Sequence, residues 1–127
     1  MRRRALVASL AVLAAASSPA WAHHSFAMFD AEKTVAFAGT VTEFTWGNPH
    51  TWIKIVSADG AKTLGVECGS PNMMIRQGWK SSLIKPGDKV AVKVHPMKDG
   101  SPTGSLIAIT LADGRELGPG GPPPPPQ

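Results

Sequence analysis

The chain has 127 residues, with 13 Lys+Arg against 9 Asp+Glu, 12 prolines and one cysteine. That length suits one domain, and a single cysteine excludes an internal disulfide, so an exported form must be held together by its core. Three of the positive charges are Arg2, Arg3 and Arg4. From residue 23 onward 10 basic side chains meet 9 acidic ones, a net charge of +1, which excludes the basic stripe that a nucleic-acid binder needs.

In chain order, the three arginines lead into Ala5 to Ala16, apolar except for Ser9, and then into Ala20-Trp21-Ala22. A basic start, a short apolar stretch and an A-x-A ending are the three parts of a secretory signal peptide. Residues 1–22 are assigned to it, with cleavage after Ala22 (after Ala20 as the alternative) and a periplasmic or secreted destination. The apolar run is shorter than the about 20 residues that cross a bilayer. The residue directly after the cleavage site is His23 and not a cysteine, so no membrane anchor is expected after cleavage. Arg3-Arg4 also hints at the twin-arginine route, although the general secretory route is the preferred reading.

Residues 23–32 form an N-terminal arm, and residues 33–117 a β-domain. Lys33 to Trp46 alternates first through Val35, Phe37, Gly39 and Val41, then shifts phase to Phe44 and Trp46. A phase shift near a glycine predicts a long strand with a bend or bulge. Gly47-Asn48-Pro49 predicts a turn, and Thr51 to Ser57 a second strand with Ile53 and Ile55 on one face and Trp52 and Val56 on the other. Asp59-Gly60 is a hairpin signal, followed by a third strand from Lys62 to Cys68. Cys68 alternates with Leu64 and Val66 and should point inward as a small apolar residue.

Ser70-Pro71 reads as an N-cap followed by proline at the first helical position. A short helix through Met73, Met74 and Gln77 should stop at Gly78, with both methionines packed on the barrel. Lys85-Pro86-Gly87-Asp88 places Pro and Gly where a tight turn favours them. Val90, Val92 and Val94 make one face of a fourth strand. A fifth runs from Leu106 to Leu111, with Ile107, Ile109 and Leu111 inward. Residues 118–127, with five consecutive prolines from Pro122 to Pro126, cannot pack and predict a disordered or polyproline II tail.

Three strands, a short helix and two more strands match an all-β, five-stranded Greek-key barrel of the OB type, with a generic sandwich as the second choice. In such a barrel the loops after strands 1 and 4 flank one face. His50, in Trp46-Gly47-Asn48-Pro49-His50, and His95, in His95-Pro96-Met97, should therefore converge.

His23-His24-Ser25-Phe26-Ala27-Met28-Phe29-Asp30, Gly39-Thr40-Val41, Trp46-Gly47-Asn48-Pro49-His50 and Ser70-Pro71-Asn72 to Gly78-Trp79 resemble an uncharacterised family of small exported bacterial proteins. The resemblance implies a shared fold and export. It implies no activity and transfers no functional residue.

Cleavage after Ala22 would give His23 a free α-amino group with a pKa of about 7.7–8.0. That amine and the Nδ1 of the same residue can close a chelate ring on one ion, and nitrogen donors in a square set suit Cu(II). The arrangement is similar to the histidine brace of some exported copper proteins. His24, His50 and His95 are the third-ligand candidates, and Met28 and Met97 are soft thioethers suited to Cu(I). Reach is the obstacle, because strand 1 is expected to start at the pole away from His50. Residues 23–32 span at most roughly 33 Å when extended.

The reading is thus an exported copper carrier or buffer with metal candidates His23, His24, His50, His95 and Met97. The alternative is a periplasmic module for protein, peptide or glycan that uses Trp46, Asn48 and Trp52 and holds no metal. A periplasmic protein is the expected partner, with nucleic acid excluded. No nucleophile stands at a recognisable spacing from a base, so no enzyme is expected.

Overall fold

The computed structural model describes residues 26–119. The signal-peptide assignment, His23, His24 and residues 120–127 of the tail lie outside the described residues, whereas Gly118, at the start of that tail, is buried and Pro119 lines a cavity, so the first two tail residues do pack.

The strands are β1 (Val35–Thr45), β2 (Trp52–Val56), β3 (Thr63–Glu67), β4 (Lys89–Pro96), β5 (Thr103–Thr110) and β6 (Glu116–Leu117), with one helix, α1 (Pro71–Ile75), between β3 and β4. β1 pairs antiparallel with both β2 and β4, β2 pairs with β3, and β4 with β5. A parallel pairing of Gly65–Glu67 with Thr103–Ser105 closes the circuit. This is a closed five-stranded barrel with the OB strand order, and β6 adds a short strap on β5.

β1 serves both halves of the barrel because it bends. Its first part pairs with β4 from Val35 to Thr40, and its second with β2, with the register slipping between Val41 and Glu43. That bulge is the phase shift read from the sequence. Gly39 lies against the backbone of Val56, where a Cβ would collide with the Val56 carbonyl. Glycine there lets the two strands cross closely.

The period-2 apolar faces meet inside. Val41, Ile53, Ile55, Val66, Val92, Val94 and Ile109 are all at most 2 % exposed. Ser70 caps α1 by accepting from the Met73 N–H at 3.4 Å, Pro71 opens it, and Gly78 turns the chain at φ +92°. Trp79 is buried, and its Nε1–H donates to the Gly118 carbonyl at 3.0 Å, tying the end of the barrel to the segment after α1.

Two expectations about packing are corrected. Met74 is buried under α1, but Met73 is exposed. In a helix barely longer than one turn only one of two adjacent side chains can face the barrel. On β5 the inner residues are Leu106 and Ile109, followed by buried Leu111 just past its end, whereas Ile107 is only partly buried. The register between β4 and β5 shifts between Lys93 and Val94, leaving Ile107 as the extra residue. The alternation inferred from Leu111 backwards therefore fails at that bulge.

Candidate functional site

The backbone that presents His50 is fixed on its C-terminal side. The Thr51 N–H donates to the Gly69 carbonyl at 3.0 Å and the Cys68 N–H to the Thr51 carbonyl at 2.8 Å, extending the β2–β3 ladder past both strand ends. On the other side, Trp46 packs edge-on against Phe44 with ring centroids 6.0 Å apart. His50 is thus held on a loop whose two ends are both anchored.

Its ring is oriented as well. His50 Nδ1 lies 3.2 Å from the Cys68 carbonyl. A carbonyl only accepts, so Nδ1 carries the hydrogen and Nε2 is the other face of the ring. That Nε2 stands 3.4 Å from Oε1 of Glu67, whose side chain is 12 % exposed. With the ring protonated this is an ion pair. With the ring neutral, two acceptors face each other, and a metal ion between them would satisfy both. His95 is held by the same device, its Nδ1 donating to the Lys33 carbonyl at 2.9 Å. Metal-binding histidines generally donate their other ring nitrogen in this way, which sets tautomer and orientation.

Two cavities meet at the His50–Glu67 pair. The larger, 540 Å³, is lined by His50, Glu67 and His95 with Phe29, Cys68 and Leu106 among its apolar walls. The smaller, 360 Å³, is lined by His50 and Glu67 together with Met28, Trp52 and Met97. The two loop histidines, 45 positions apart, therefore line one space. His95 does not reach the smaller cavity, and Met97 does not reach the larger.

The arm is closer to the site than the sequence suggested. Phe29 bridges to Met97 and is buried, the Asp30 N–H donates to the Pro96 carbonyl at 2.8 Å, and the Lys98 N–H to the Met28 carbonyl at 3.0 Å. The chain before β1 is pinned to the end of β4, so Met28 and His50 wall the same cavity. The start of β1 is on the His50 side, not away from it.

Of the residues expected to form a partner face, Trp52 alone lines the smaller cavity. Trp52 is 38 % exposed. Trp46 is half-buried and Asn48 exposed, and neither lines either cavity. Cys68 points inward as expected. Burial pushes its thiol pKa far up, with the Glu67 charge adding to the effect. Among the described residues, no group of three His, Cys, Asp or Glu side chains stands ready for a metal.

Glu67 went unnoticed in the sequence. The hairpin at Asp59-Gly60 could have found it, because that turn sets Trp52 opposite Glu67, a pairing the structure contains. Glu67 is thereby placed next to the loop that carries His50.

The family model of a family of unknown function, DUF6152, matches residues 10–106, and the chain belongs to that family. No curated protein matches the chain. Among solved structures, a mitochondrial single-stranded DNA binding protein from S. cerevisiae is similar, at 16 % identity and a TM-score of 0.47, over 63 % of this chain and 94 % of that one. The exclusion of nucleic acid expected from the charge is not retained, the similar structure being that of a single-stranded DNA binding protein. At that level of similarity the likeness concerns the fold and assigns no ligand to this chain. Among the described residues no helix is long and apolar enough to cross a membrane.

Proposed function

We propose that this member of the family is an exported copper-binding protein, a carrier or buffer, in which a processed N-terminal His23 docks against the loop histidines. The observation that carries the reading is that His50 and His95 line one cavity with each ring fixed through Nδ1 to a backbone carbonyl. This is the pre-set orientation that metal-binding imidazoles use. The pinned arm supports it further. His23 precedes Met28 by five residues, a reach of at most about 18 Å, and Met28 already walls a cavity that contains His50. An amine and an imidazole from His23 with one more imidazole would give Cu(II) three nitrogen donors. Export follows from the basic, apolar and A-x-A parts of residues 1–22.

The test compares a protein that begins at His23 with a copy carrying one extra residue before it. The terminal chelate needs the free amine of His23, so the extension should weaken Cu(II) binding by roughly 100-fold or more. Equal, weak binding in both forms contradicts the proposal.

One observation favours a second reading without metal. Trp52 is exposed between the smaller cavity and a shallow cleft that holds Glu43 and Lys54, themselves ion-paired at 3.0 Å. An indole face rimmed by polar groups suits a glycan or peptide. Equal copper binding in the two forms, with retention on a glycan or peptide array, is the outcome that reading expects.

A further inference from the structure

We infer that the smaller cavity is a second, soft-metal site, in which His50, Met28 and Met97 hold Cu(I) beside the indole of Trp52 and the carboxylate of Glu67. The inference rests on the copper reading but not on the processed terminus.

Four observations lead to it. The cavity brings two thioethers and an imidazole together from three separate parts of the chain, Met28 from the arm, His50 from the loop after β1 and Met97 from the loop after β4. Its two thioether residues are held together by the Phe29–Met97 bridge and the Lys98-to-Met28 hydrogen bond. Thioether sulfur selects Cu(I) over harder ions, and an imidazole nitrogen completes a three-donor set. The imidazole is pre-oriented, since Nδ1 is committed to the Cys68 carbonyl and only Nε2 can ligate.

Charge agrees. Glu67 supplies one negative charge in a half-buried place where a monovalent cation needs it. The Trp52 ring walls the same cavity, and an indole face attracts a cation.

The experiment titrates Cu(I), held reduced under anaerobic conditions against a chromogenic chelator, and Ag(I) as a redox-inert substitute. Three proteins are compared: one beginning at His23, one with an added N-terminal residue, and a Met28→Leu/Met97→Leu variant. Leu preserves volume and apolar character, so the fold should survive, and thermal melting checks that. The expected result is one Cu(I) bound by both methionine-containing forms, with quenched tryptophan fluorescence. The double variant should bind Cu(I) roughly 10–100-fold more weakly while keeping Cu(II) at its free terminus. Trp52→Phe should remove most of the quenching while leaving stoichiometry intact. Undiminished Cu(I) affinity in the double variant, or quenching unchanged in Trp52→Phe, overturns the inference. Loss of Cu(II) binding on extension with Cu(I) retained supports both sites. Cu(II) binding indifferent to the extension with Cu(I) retained refutes the terminal site alone.

Discussion

The inside of the barrel and its cavity-bearing wall are made from the same strands and obey different rules. Ile53 and Val66 are fully buried, while their sequence neighbours Trp52 and Glu67 face the cavity. Strand alternation sends adjacent residues to opposite faces, so one short segment carries both stability and chemistry without mixing them. The difference teaches that the two properties can be broken separately.

The largest effect is expected from Ile53→Ala. It removes a fully buried side chain from the centre of the core and should cost about 2–5 kcal/mol of stability, read by urea unfolding. Copper bound per folded molecule should not change. His50→Ala inverts the pattern. It loses one partly exposed hydrogen bond, a cost of about 1 kcal/mol, but removes the one imidazole of the smaller cavity and should weaken Cu(I) by roughly 10–100-fold. Undiminished Cu(I) affinity in His50→Ala contradicts the soft-metal site. The smallest effect concerns Cys68, one residue from Glu67 but on the inner side. Its buried, neutral thiol should resist alkylation in the native protein and react only on unfolding, followed by mass spectrometry with a thiol reagent. Rapid native labelling would place Cys68 on the wrong face.

Most of the barrel was legible in the sequence, because strands announce themselves locally. Val90-Ala91-Val92-Lys93-Val94 alternates, Lys85-Pro86-Gly87-Asp88 turns, and Ser70-Pro71 starts a helix. What was missed is set by pairing between distant segments. Ile107 was given to the wrong face because the bulge depends on how β5 registers against β4. β6 has only two residues and exists by pairing with Ile109 and Thr110. The convergence of His50 and His95 was accessible because the barrel topology implied it. Glu67 was not found because a single carboxylate in an alternating strand reads as a solvent-facing residue until its cross-strand neighbours are placed. The approach of Met28 to His50 depends on the arm pairing with Met97, and nothing in residues 26–30 signals that contact.

The central claim is that trimming delivers a histidine with a free amine to a wall already holding oriented imidazoles. Native mass spectrometry of the protein recovered from the cell envelope after growth with added copper tests this most directly. The account expects a chain beginning at His23 that carries copper. A chain that still contains Trp21, one that lacks both His23 and His24, or a correctly trimmed chain that stays metal-free contradicts it.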